Sequence, residues 1–300
     1  MKRAVSISLG SVKRDKKVTI TLLGEEITIE RIGTDGDVEK AIQLYHEMDG
    51  KVDAFGVGGI DLGMTIAGRY YPLHDAQKLV AGVRQTPVVD GGGLKQTLER
   101  TIAQFIEREI GDEVQPKRVL VTAGVDRYGS ALSFDEAKYE LLFGDLGFAL
   151  GIPIPIRSLR GLRFLARILM PIVGRLPLEF LYPTGEKQEK VVPKFGKWYA
   201  WATVICGDCL YVKQHMPDRL DGKVIATNTT TPADIEAFRQ RGVRYLVTAT
   251  PCLEGRSFGT NMMEAALVAV ADKGRPLTTA ELQEMLERLG LKPTLQRLNE

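Results

Sequence analysis

Along most of the 300-residue chain, short apolar runs alternate with stretches whose apolar residues recur every three or four positions. Residues 4–9 form the first such run and predict a strand. Residues 18–23 and 27–32 alternate around Gly24-Glu25-Glu26 and predict a hairpin. Over 37–48, Ala41, Leu44, Tyr45 and Met48 share one face of a helix. Short strands follow at 52–55 and 86–90, with a helical stretch at 74–83. The clearest helix of the first half is 94–110, where Leu94, Leu98, Ile102, Phe105 and Ile106 form one stripe. A strand at 118–123 and a helix at 134–148 complete this half.

Residues 151–197 break the rhythm, cut by Pro153, Pro155, Pro171, Pro177, Pro183 and Pro193. A basic amphipathic helix over 159–173 carries Arg160, Arg163 and Arg167, with Arg175 close by. It reads as a connector or packing helix, or else as a substrate lid or membrane-surface element. The alternation then resumes: strands at 202–206, 223–227 and 245–249, helices at 209–215, 231–241, 260–271 and 279–289. Thr231-Pro232-Ala233-Asp234 is a helix start, with Thr as cap and Pro at the first helical position. The expected fold is α/β, with two Rossmann-like domains and mostly parallel sheets. The expected domains are 1–150 for substrate, a Pro-rich basic connector at 151–197, and 198–300 for cofactor.

Composition narrows the class. Hydrophobic residues make up 44% and charged residues 26%, ordinary for a globular protein. A net charge of +2 gives no argument for nucleic acid. Three cysteines form no disulfide framework, so reduced thiols and a cytoplasmic protein are expected. The opening MKRAVSISLGSVKRDKK lacks the apolar core of a signal peptide. Residues 165–174, broken by Arg167 and Pro171, are too short to span a bilayer. The expected partner is a small anionic metabolite, with a homo-oligomer left open.

In open α/β sheets, ligands bind beyond the carboxyl ends of the strands. Three loops of the second half fall there: Cys206-Gly207-Asp208-Cys209, Asn228-Thr229-Thr230-Thr231 and 250–256. They offer hydroxyls, backbone donors and the charge of Arg256, although caps and turns use the same residues. The runs Ile225-Ala226-Thr227-Asn228-Thr229-Thr230 and Leu246-Val247-Thr248-Ala249-Thr250-Pro251 resemble the nicotinamide domain of shikimate/quinate dehydrogenases. The likeness covers about 50 residues, roughly 202–259. This sequence departs from the family in three places: Gly207 alone stands for its Gly-rich loop, Thr229 for an arginine and Thr248 for an asparagine.

The resemblance implies an NAD(P)-dependent oxidoreductase acting on a polyhydroxy carboxylate, with NAD or NADP as cofactor. The cofactor-binding candidates are Gly207, Asp208, Asn228, Thr229, Thr230, Thr250, Pro251, Gly255 and Arg256. For the family's proton-transferring Lys/Asp pair the candidates are Lys95 and Asp126; the plain alternative is a solvated helix residue and a turn residue. Ser6 and Ser8 are candidates for holding substrate.

Three glycine motifs add candidate anion sites. Gly56-Val57-Gly58-Gly59 follows a strand but lacks the long helix of a dinucleotide fingerprint. Gly91-Gly92-Gly93 turns a strand into a helix, so the amides at Gly92 and Gly93 are candidates for holding substrate. Ser8-Leu9-Gly10-Ser11 precedes Lys13 and Arg14. Cys206 and Cys209 form a CxxC at a helix start, the setting of an activated thiol. With Cys252, and His215 as a fourth ligand, they would hold zinc or an iron–sulfur cluster. Two other classes therefore stay open: a non-redox α/β protein binding an anionic metabolite, and a Cys-ligated metal enzyme.

Overall fold

The computed structural model describes residues 1–181, 191–250, 252–253 and 256–300, with backbone alone at 252–253 and 256–257. The chain forms two compact units. The first comprises Met1–Leu94, Ile168–Gln188 and Phe258–Leu291; the second Lys95–Arg167, Glu189–Ser257 and Lys292–Glu300.

In the first unit, β1 (Lys2–Ser8), β2 (Lys16–Leu22), β3 (Glu25–Gly33), β4 (Ala54–Gly58) and β7 (Val88–Val89) make one sheet. A two-stranded ribbon, β5 (Gly63–Ile66) and β6 (Arg69–Pro72), stands apart. The sheet order is β2-β3-β1-β4-β7, parallel except where the β2–β3 hairpin closes it. Asp37 caps the helix Val38–Met48, accepting from the Lys40 amide at 2.9 Å. The helix Thr260–Ala271 packs across β1, β3, β4 and β7. It is apolar almost all round, which suits full burial. Its backbone and the Ser8 side chain set the glycines of β4: a Cβ on Gly58 would lie 2.7 Å from Ser8 Cβ. A Cβ on Gly56 would lie 2.8 Å from the Asn261 carbonyl oxygen. That motif is a packing device, not a dinucleotide fingerprint.

In the second unit, β8 (Arg118–Val121), β9 (Glu140–Phe143), β10 (Val204–Gly207), β11 (Val224–Thr227) and β12 (Tyr245–Thr248) form a parallel sheet. A short antiparallel pair, β13 (Cys252–Leu253) and β14 (Arg256–Ser257), stands apart. An antiparallel sixth strand, β15 (Thr294–Arg297), completes the sheet in the order β15-β12-β11-β10-β8-β9. Counted along the chain this is 2-1-3-4-5-6, a doubly wound order whose reversal lies between β8 and β10. Leu120, Ile205, Ile225 and Leu246 pack one face against Phe148, Tyr199, Val212 and Phe238. Each large buried apolar side chain of this kind contributes about 1.5–3 kcal/mol.

The α/β class with parallel sheets is the observed one. The units nevertheless cut across the sequence-based boundaries at 150 and 198. β8 and β9 belong to the sheet of the second unit, and the helix Thr260–Ala271 to the first. Among the described residues, no helix is long and apolar enough to cross a membrane.

Candidate site at the strand-order reversal

Where β8 and β10 part, their carboxyl ends present the loops that begin at Thr122 and Asp208. Gly207 is required here by close approach: a Cβ on it would collide with Thr122 Oγ1. That hydroxyl is wholly buried and has no hydrogen-bond partner among the described residues. The loop after β8 then delivers Asp126 and Arg127, with Arg127 at the cap of the helix Tyr128–Glu136. Gly129 lets the Lys95 carbonyl lie against that helix start, which a Cβ would prevent. Lys95 and Asp126, 31 positions apart, meet through Nζ–Oδ1 at 2.6 Å.

The pair opens a longer network. Arg127 Nε donates to Asp126 Oδ2 at 3.1 Å, and Arg127 Nη1 donates to Glu99 Oε1. Arg127 Nη2 donates to Asp208 Oδ2 at 2.9 Å, which also accepts from Asn228 Nδ2 at 2.8 Å. Two cations thus face three carboxylates, Glu99, Asp126 and Asp208. Burial raises the Glu99 pKa above the usual carboxylate value, against the pull of Arg127 and Lys95. Asp208 is the cluster's most exposed member, with a quarter of its side chain open.

The cofactor candidates of the neighbouring loops are committed to one another. Asp208 Oδ1 accepts from the Leu210 amide at 2.9 Å, and Asn228 Oδ1 from the Cys209 amide at 3.3 Å. The Thr250 amide donates to the Asn228 carbonyl at 3.0 Å, and Thr250 itself is fully buried. Thr229 and Thr230 are half-buried in the same loop. Pro251 and Gly255 lie outside the described residues, as does the side chain of Arg256.

This geometry tests whether a nicotinamide dinucleotide fits. Its pyrophosphate needs open backbone donors at a strand-to-helix turn. After β10 those donors face the Asp208 carboxylate and the Asn228 oxygen. After β8 the Gly124 and Val125 amides donate to Asp145 at 3.0 and 2.8 Å. Burial pushes the Asp145 carboxyl up to about 6 in spite of those two amides. Both turns carry a protein carboxylate where a phosphate would sit, so the residues present do not fit the dinucleotide.

The substrate candidates of the first unit are likewise internally satisfied. Ser6 Oγ accepts from Asn261 Nδ2 at 2.7 Å, and Ser8 Oγ from Arg31 Nη2 at 2.9 Å. Gly92 donates to Asp90 Oδ1 at 2.9 Å, and a Cβ on Gly93 would lie 2.8 Å from Glu264 Oε1. The expected anion site at this helix start is therefore filled by carboxylates. In the Ser8–Ser11 turn, Asp35 takes the Val12 amide and Asp15 pairs with Arg31 at 2.7 Å.

The CxxC is no chelate among the described residues. Successive strand residues point to opposite faces. Ile205 lies in the cluster that also holds Cys209, while Cys206 meets Ser130 on the other side. Both are buried free thiols. Burial, with Glu99 nearby, pushes the Cys206 thiol up to about 12, the reverse of an activated nucleophile. His215 Nδ1 is taken by the Val192 carbonyl at 2.8 Å, and the Cys252 side chain lies outside the described residues. Among the described residues, no group of three or more His, Cys, Asp or Glu could hold a metal ion.

Sequence reasoning missed Glu99, Thr122, Arg127, Gly129 and Asp145. Only one signal was available: Lys95 and Glu99, opposite charges four apart beside the apolar stripe.

The chain belongs to the family of the domain of unknown function DUF8754, whose model matches residues 93–298. Residues 3–90 match the model of a second domain of unknown function, DUF8753. No curated protein matches. Among solved structures, an NAD-dependent malic enzyme from Thermotoga maritima is 12% identical, with a TM-score of 0.39 over 95% of this chain and 75% of that one. A periplasmic solute binding protein of an ABC transporter from Actinobacillus succinogenes, with bound D-allose, is 13% identical at 0.39, over 99% and 98%. A glucose-galactose binding protein from Geobacillus stearothermophilus is 10% identical at 0.40, over 99% and 97%. Likeness at these scores carries no argument about chemistry.

Proposed function

We propose that the carboxyl edge of the second unit binds a hydroxylated carboxylate metabolite. The observation that carries this reading is the Lys95–Asp126 pair at 2.6 Å, at the strand-order reversal of a doubly wound sheet. Carboxylates such as Asp126 and Asp208 suit hydroxyl donors, while Lys95 and Arg127 suit a ligand carboxylate. In this scheme Asp126 orients Lys95, and the pair holds a bound hydroxyl by hydrogen bonds, Asp126 accepting and Lys95 donating.

The resemblance to shikimate/quinate dehydrogenases points to the same substrate class and to such a pair. Oxidation by NAD or NADP is the finer form of that reading. The carboxylates in both phosphate-binding turns stand against it, so no step here runs through a nicotinamide.

Titration calorimetry with quinate and shikimate tests the proposal. Saturable binding is expected in the unmodified protein. Asp126→Asn removes one charged hydrogen-bond acceptor and should weaken binding by about tenfold or more. Lys95→Arg should keep the fold, checked by urea unfolding, and still weaken the ligand. No heat of binding with any hydroxy acid tried would remove the reading.

A further inference from the structure

The helix Leu159–Val173 buries Leu159, Leu162, Ala166 and Met170 on one face. Its outer face is not the charged surface that an exposed helix usually shows. Phe164, Ile168 and Ile172 stand one turn apart on it, 67%, 49% and 60% exposed. Leu176 and Phe180 continue the exposed apolar series beyond the helix, and Leu150, Ile152 and Ile154 precede it. Elsewhere among the described residues, exposed large apolar side chains are scattered singly, as is normal.

The charge of this stretch is as one-sided as its apolarity. Residues 146–178 contain Arg157, Arg160, Arg163, Arg167 and Arg175 and no acidic residue, a net +5. With the whole chain at +2, the remainder carries 2 − 5 = −3. Arg175 also lines a surface cavity of about 460 Å³ in the first unit, together with His74, Asp75, Lys78 and Pro177. Asp75 there is paired with Lys78 at 2.8 Å, which leaves the basic side chains in excess.

We propose that this helix docks the protein on the surface of an anionic phospholipid bilayer. Phe164, Ile168 and Ile172 enter the boundary between headgroups and acyl chains. Arg160, Arg167 and Arg175 stay among the phosphates, their aliphatic stems along the apolar surface. The cavity at His74, Lys78 and Arg175 receives one headgroup phosphate. A second copy of the chain is the poorer occupant. A two-fold contact through this face would set the same arginines against one another.

Sedimentation with vesicles tests this. The full chain should pellet with phosphatidylcholine mixed equally with phosphatidylglycerol, and far less with phosphatidylcholine alone. Raising the salt should release it. The triple variant Phe164→Ser, Ile168→Ser, Ile172→Ser alters exposed positions, so its melting temperature should hold while vesicle binding falls about tenfold or more. Arg160→Glu with Arg167→Glu should do the same. Failure to pellet with anionic vesicles, or binding untouched by the triple variant, would overturn the proposal. So would a dimer on gel filtration that the triple variant abolishes, since a second copy would then cover the face.

Discussion

At the scale of single residues, the recurring device is a carboxylate placed where a glycine turn exposes backbone donors. Asp208 does this after β10, Asp145 after β8 and Asp90 at the Gly92 turn. Each satisfies amides that would otherwise attract an anion. Gly207 and Thr122 are the tightest residue-scale constraint. Gly207→Ala should destabilise by about 1–3 kcal/mol, because its methyl meets the Thr122 hydroxyl. Thr122→Val replaces a buried hydroxyl that has no partner among the described residues and should be neutral or stabilising. The double variant with Thr122→Ala should recover part of the Gly207→Ala loss. Urea unfolding of the four proteins measures the cycle, and strict additivity would show that the contact is not what makes Gly207 necessary.

At the scale of elements, the network ties a turn of 3₁₀ helix at Glu99–Thr101 to the loops after β8 and β10. Arg127→Met would leave Glu99 buried without its cation and should cost about 3–5 kcal/mol. Adding Glu99→Gln should return much of it; a double variant no better than the single would argue that Arg127 acts elsewhere. The sequence pattern showed most elements and hid this junction. The helices Leu159–Val173 and Thr260–Ala271 fall where their periodicity puts them. The stripe Leu94, Leu98, Ile102, Phe105 and Ile106 is buried as expected. Its helix, however, is broken into Gly92–Gln96, a 3₁₀ turn and Ile102–Ile110, which is what aims Glu99 inward. The single helix expected over 134–148 is a helix, β9 and a second helix, split at Lys138 in the left-handed region. Four residues, Glu140–Phe143, carry too short a pattern to tell strand from helix. Lys95 and Asp126 were legible as residue types; their meeting depends on Gly129 and a broken helix, which no local pattern encodes.

At the scale of the whole molecule, chain order and unit membership diverge. Phe258–Leu291 follows the second unit's strands in sequence and belongs to the first unit, and Lys292–Glu300 returns to supply β15. Periodicity identifies such segments as helix or strand but carries no record of which sheet they cover. The charge distribution is equally uneven, with +5 concentrated in 146–178 of a chain whose net charge is +2. A small net charge therefore conceals a strongly basic local stretch.

The central claim is that the carboxyl edge of the second unit is built for hydroxyls and carboxylates, its phosphate-binding turns already filled. Titration of the purified protein with NADH and NADPH, followed by nicotinamide fluorescence, tests it most directly. The arrangement of Asp208 and Asp145 predicts no saturable binding of either nucleotide. Saturable binding in the micromolar range would contradict it, and would mean that these carboxylates give way to a pyrophosphate and that the Lys95–Asp126 pair serves a dehydrogenase.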